Sequence, residues 1–184
     1  MRRRVRRTGD FVVSRGSRGK SWEIQLSLWH DAYRRLGAAY VVSIEAPVKQ
    51  VGGGSPFLAV RAKEGPPDFM GTLDGGRAVV FDAKETLGVR WSFGLLKAHQ
   101  ARDLSANADR GGLSFIALSF SGRGWVVPWE ELRGEWWAWK RNGARKASIV
   151  EGEMGVSMNQ QGCCVTNVKC GVGCGWLGVV NGLG

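Results

Sequence analysis

Residues 77–84 read Arg-Ala-Val-Val-Phe-Asp-Ala-Lys, and thirteen residues separate Asp82 from an earlier acid in Pro67-Asp68. The run is rich in β-formers, and strand alternation places Val79, Phe81 and Ala83 on one face and Val80, Asp82 and Lys84 on the other. Between the two acids stands Asp74-Gly75-Gly76, a turn signature that would fold the chain into a hairpin and return Asp68 to the side of Asp82. Two carboxylates and an ammonium are therefore expected to meet at one end of a hairpin.

That grouping has chemical consequences. Like-charged carboxylates repel, and a pair held close by a fold needs a compensating cation. A hard divalent ion with oxygen ligands, Mg²⁺ or Mn²⁺, suits the role. Such an ion can polarise a phosphodiester and acidify water, while the ammonium of Lys84 orients that water or neutralises charge in the transition state. These are the parts of a metal-dependent nuclease. Asp-x-Lys in a strand is also common as a solvated face, so the residues around it carry the decision.

Working outward, Trp22, Leu26, Trp29, Tyr33 and Leu36 recur at the spacing of one helix face from Ser21 on, and Gly37 supplies a stop. A strand is expected at Ala39–Ile44. Residues 47–67 hold Gly52-Gly53-Gly54 and Pro56 beside the short extended run Phe57–Ala62, which predicts a projecting loop or hairpin. Leu95–Ala108 reads as a helix ended by Gly111-Gly112. Leu113–Phe120 and Trp125–Val127 read as strands about the turn Ser121–Gly124, and Pro128 opens a further helix. That helix carries Trp129, Leu132, Trp136, Trp137 and Trp139, followed by Lys140, Arg141, Arg145 and Lys146. Tryptophans there are expected in the core rather than as a nucleobase platform. The order of elements predicts a mixed α/β domain with a central sheet flanked by helices.

The chain has 184 residues with 43% hydrophobic content, enough for one folded domain and too much for extended disorder outside the ends. No apolar run approaches the ~20 residues of a membrane helix, and the N-terminal arginines lead into Thr8, Gly9 and Asp10, not a signal-peptide core. The expected compartment is the cytoplasm, at a bacterial nucleoid or in the host if the chain is phage-encoded. The formal charge is +10. Residues 1–18 form a basic arm with few apolar residues to fold it, and Arg2, Arg3, Arg4, Arg6, Arg7, Arg15, Arg18 and Lys20 face Asp10 alone in the first twenty residues. With no apolar face or lipidation signal beside it, this charge points to nucleic acid rather than a membrane. Residues 19–150 form the body of the domain. Residues 151–184 differ in kind: nine of the 34 are Gly, and Cys163, Cys164, Cys170 and Cys174 all lie there. Their spacing lacks the paired Cys-x2-Cys of most structural zinc sites, so reduced thiols in an appended tail are expected.

The stretches Pro66-Pro67-Asp68-Phe69-Met70-Gly71, then 76–86 (Gly-Arg-Ala-Val-Val-Phe-Asp-Ala-Lys-Glu-Thr), then His99-Gln100, closely resemble the RecU-type Holliday junction resolvases of the PD-(D/E)xK nuclease superfamily. The likeness runs from about Gly19 to Lys146. It takes in Gly-x-x-x-Glu at Gly19–Glu23, Ala46-Pro47 ahead of the projecting segment, and Gly111-Gly112 before a hydrophobic strand.

The resemblance implies a restriction-endonuclease-like core, with residues 47–67 as a stalk that enters the junction centre. It implies a homodimer, as suits two symmetric cuts. It implies a metal set of Asp68, Asp82, Glu23 and Ala83, with Lys84 as the catalytic lysine and Gln100 supporting the site. Asp82 stands where the family commonly has Glu, and Pro66 or Pro67 replaces a polar residue usual before the first acid. The expected activity is Mg²⁺-dependent endonucleolytic resolution of four-way junctions. Two alternatives are another nuclease of the superfamily acting on duplex or flap DNA, and a non-catalytic basic DNA-binding module. Glu85 is expected to face solvent beyond the catalytic strand, and His30 and His99 to have no catalytic part.

Overall fold

The computed structural model describes residues 18–45, 48–51, 58–61, 64–143, 145–158 and 176–177. In chain order the elements are α1 (Arg18–Arg35), β1 (Ala39–Ser43), β2 (Val48–Val51), β3 (Leu58–Arg61), β4 (Phe69–Leu73), β5 (Ala78–Thr86), β6 (Arg90–Ser92), α2 (Ala98–Ala108), β7 (Leu113–Phe120), β8 (Arg123–Pro128), α3 (Trp129–Asn142), β9 (Ser148–Val150) and β10 (Val156–Met158). Six strands form the central sheet in the order β1-β4-β5-β7-β8-β10. Only β5 and β7 run parallel, and α2 makes the crossover that a parallel pair requires. The expected mixed sheet between helices is the architecture observed.

The hairpin predicted around Asp74-Gly75-Gly76 is β4–β5, antiparallel, with Phe69 opposite Phe81. Its turn is a short 3₁₀ segment in which Gly75 and Gly76 have φ of +83° and +86°, a region that glycine enters without steric cost. β4 also lies tight against β1. A Cβ at Gly71 would stand 2.0 Å from the Tyr40 carbonyl oxygen, so the position admits no side chain.

Alternation along β5 divides the core into two layers. Val79, Phe81 and Ala83 join Phe69, Phe115 and Ala117 beneath α1, which contributes Trp22, Leu26 and Tyr33. Phe69, Phe81 and Phe115 stack across three strands with centroids 4.9 and 4.4 Å apart. On the opposite face Val80, Ile116 and Leu118 pack with Ala101 and Leu104 of α2 and with Trp129, Leu132 and Trp136 of α3. The tryptophans of α3 at 129 and 136 are thus core residues, as expected, and all eight residues of the central strand β7 are buried.

Several boundaries differ from the sequence reading. α1 begins at Arg18, three residues before Ser21. α2 begins at Ala98 rather than Leu95, because Phe93–Leu95 forms a separate 3₁₀ turn and Lys97 is the residue that caps the helix. β6 and β9 pair with each other and gave no periodic signal at three residues apiece. Residues 48–51 and 58–61 form an antiparallel hairpin inside the segment read as a stalk, and these two strands pair only with one another among the described residues.

Within 151–184, expected to be an appended tail, the described residues pack against the domain. β10 extends the central sheet beside β8. Trp176 is fully buried among Phe81, Phe115, Tyr33 and His30, and its indole N–H donates to His30 Nε2 at 3.0 Å. That bond and the surrounding rings keep His30 neutral, and burial lowers its pKa to about 4. Cys163, Cys164, Cys170 and Cys174 lie outside the described residues. No described helix is long and apolar enough to cross a membrane.

Candidate active site

β5 anchors the site. Because Phe81 and Ala83 are committed to the α1 layer, Asp82 must enter the opposite one, beneath α2, where it has no solvent exposure. An ionised carboxylate in such a place must have its oxygens bound. Gln100 Nε2 donates to Asp82 Oδ1 at 2.6 Å, and Lys84 Nζ donates to Asp82 Oδ2. Burial pushes the Asp82 carboxyl up to about 7; the Lys84 ammonium opposes that rise and the Asp68 charge adds to it.

Gln100 is held at its other end. Its Oε1 accepts the Lys97 backbone N–H at 3.1 Å, which closes the first turn of α2. With the oxygen engaged there, the amide nitrogen is the atom that faces Asp82. The late start of α2 therefore matters to the site: Gln100 belongs to the first turn of the helix and serves the cap and the carboxylate together.

Asp68 stands just before β4. Its backbone carbonyl accepts the Ile44 N–H at 2.8 Å, tying it to the end of β1. Its Oδ2 accepts the Ala83 N–H at 2.9 Å and lies 3.9 Å from Lys84 Nζ. The Asp68 side chain is 31% exposed, so one wall of the site is buried and the other opens to solvent. The Lys84 ammonium lies between the two carboxylates, at the point where they converge.

A positive charge at that convergence, faced by hard carboxylate oxygens, is the environment a divalent cation requires. Asp68 and Asp82 fit such an ion. Ala83 enters the site through its N–H, which orients Asp68. Glu23 is not brought into the group: it is exposed on α1, the helix that covers the Phe81–Ala83 face, whereas Asp82 lies on the other. Among the described residues, no three His, Cys, Asp or Glu side chains assemble into a metal-binding group.

Glu85 corrects the sequence reading. It is half-buried on the α1 side and hydrogen-bonds Ser21, with its other oxygen, Oε2, enclosed and without a hydrogen-bond partner. Burial raises its pKa. The alternation that sends Asp82 toward α2 also sends Glu85 toward α1, so the signal was present in the strand. His99 is partly buried in the first turn of α2. Arg2, Arg3, Arg4, Arg6, Arg7 and Arg15 lie outside the described residues, and Arg18 and Lys20 are described only in their backbone, at the start of α1.

No curated protein sequence matches the chain. The solved structure of Hjc, a Holliday junction resolvase of the archaeal hyperthermophile Archaeoglobus fulgidus, aligns with 76% of this chain and 95% of its own at 18% identity, with a TM-score of 0.43. The family model of RecU, Recombination protein U, matches residues 17–162, which include α1, the β4–β5 hairpin and Gln100. With most of its length inside that match, this chain belongs to the RecU family.

Proposed function

We propose that the chain is a structure-selective endonuclease that resolves four-way DNA junctions by divalent-metal-dependent phosphodiester hydrolysis. The observation that carries the reading is the convergence of Asp68 and Asp82 on Lys84, with Asp82 buried and held by Gln100. RecU membership supports DNA recombination as the setting.

Asp68 and Asp82 would hold Mg²⁺ or Mn²⁺, which when bound supplies Lewis acidity toward the phosphodiester. Gln100 fixes the Asp82 carboxylate by its Oδ1, while Oδ2 faces the Lys84 ammonium. The Ala83 N–H does the same for Asp68. Lys84, whose ammonium stands between the two acids, would orient water and neutralise charge developing on the phosphoryl oxygens. Asp82 must be ionised for this work, against the effect of its burial. Two symmetric nicks call for two equivalent sites, so the working unit is a homodimer in the cytoplasm, at the nucleoid or in a phage-infected host.

The deciding experiment incubates the protein with a labelled synthetic four-way junction and with a linear duplex of the same arms, with Mg²⁺ and with EDTA. Symmetric cuts in the junction that need Mg²⁺ are expected. Equal rates on junction and duplex would transfer the reading to a general nuclease, and no cutting of either would remove the enzymatic one.

A further inference from the structure

Away from the carboxylates, α2 and α3 flank a shallow, open groove of about 690 Å³. Four arginines line it, Arg102 from α2, Arg110 from the turn just past its C-terminus, and Arg133 and Arg141 from α3, together with Trp137 and Asp109. Their charges are not equally committed. Arg133 is held by Asp109 at 2.9 Å and by Glu130 at 2.9 Å, and Arg102 lies 3.7 Å from Glu64. Arg110 donates to the Ala106 carbonyl in the last turn of α2, and no carboxylate lies within ion-pair reach of Arg110 or Arg141 among the described residues. One guanidinium free of a carboxylate therefore stands at the end of α2 and one on α3, with the Trp137 indole also lining the groove. Trp137 packs edge-on against the buried Trp136 at 4.8 Å, so its ring is fixed where it meets the groove.

Guanidinium groups around an aromatic ring match the two surfaces of a polynucleotide, its phosphates and its bases or sugars. We propose that the α2–α3 groove is a second DNA-binding site, in which Arg110 and Arg141 hold phosphates of a strand in one junction arm and Trp137 receives a sugar or base. The proposal rests on the resolvase reading for the identity of the strand. It gives the protein a grip on one junction arm separate from the N-terminal basic residues.

The test measures binding of a labelled four-way junction by the full chain in EDTA, over a range of salt concentrations, for the wild type and for Arg110→Glu, Arg141→Glu and Arg35→Glu. Arg35 is exposed at the end of α1 and controls for a charge change of the same size. Each groove variant is expected to weaken binding about tenfold or more and to reduce the slope of log K against log salt by roughly 0.9 for each phosphate no longer neutralised. The control should change affinity less than about twofold. Equal weakening in all three variants, or none in any, overturns the groove while leaving the resolvase reading intact. A wild type that binds no junction removes that reading itself. Unchanged melting temperatures in the variants show that the weaker binding comes from the missing guanidinium and not from misfolding.

Discussion

Replacing Asp82 by Asn should stabilise the fold while abolishing cutting, and the gain should depend on pH in a defined way. Asp82 is wholly buried, and its carboxyl is moved from an ordinary value of 3.8 to about 7, with burial as the leading cause. At about 1.4 kcal/mol per tenfold change in proton affinity, ionising it inside the fold costs ~4 kcal/mol. The sign follows from proton counting. Between about pH 4 and 7 the unfolded chain has released this proton and the native state retains it, so wild-type stability contributed here is full below 3.8 and is lost as pH rises through about 7.

Asn at 82 keeps an acceptor for Gln100 and carries no such cost, although it forfeits the bond to the Lys84 ammonium. That loss is a constant offset at these pH values. The difference in unfolding free energy between variant and wild type should therefore climb by about 4 kcal/mol from pH 4 to pH 8 in favour of the variant, at ~1.4 kcal/mol per pH unit. His30 works in the opposite direction, since its lowered pKa of about 4 makes stability fall as pH drops below its ordinary 6.5. It is common to both proteins and cancels in the difference. Guanidinium chloride unfolding across pH 4–8 in EDTA measures the gap. A gap constant within about 0.5 kcal/mol would refute a buried, titrating Asp82. In a second arm at pH 8, Mg²⁺ at ~100 times its dissociation constant should add ~2.7 kcal/mol to the wild type and little to the variant.

Other expectations follow from the same geometry. Lys84→Ala should eliminate cutting of a labelled junction while leaving its affinity within about twofold, because the ammonium serves the acids and the reacting phosphate and not the grip on the arms. Trp176→Ala should cost ~3–5 kcal/mol by denaturant midpoint, as expected for a large ring removed from a packed core, and a loss under ~1 kcal/mol would mean that the C-terminal segment does not hold the core. Removing residues 1–17, which stops short of α1, should weaken junction binding at low salt and flatten its salt dependence. The cutting rate of the bound complex should stay close to that of the intact chain, and a rate that falls with affinity unchanged would place the arm in the chemistry instead.

Local pattern carried a good part of this protein. Alternation in 78–86 is a backbone property with period two, so the division of Phe81 from Asp82, and the pairing of Asp82 with Lys84, follow from the order of residues alone. The Asp-Gly-Gly turn and the distance from Asp68 to Asp82 likewise set the hairpin before any packing is considered. What the chain order left open was which layer each face meets. The same alternation that identified Asp82 sends Glu85 against Ser21, yet only the placement of α1 over that face reveals that Glu85 is enclosed. Glu23, on that same helix, is kept apart from the acids for the same reason. Trp176 lies 146 residues beyond His30, and no local signal joins two rings so far apart in sequence. The β4–β5 hairpin was legible because its residues are neighbours along one strand and one turn. The groove of arginines, the enclosure of Glu85 and the anchoring of the C-terminal segment arise where separate elements pack, and only the tertiary structure brings those surfaces together.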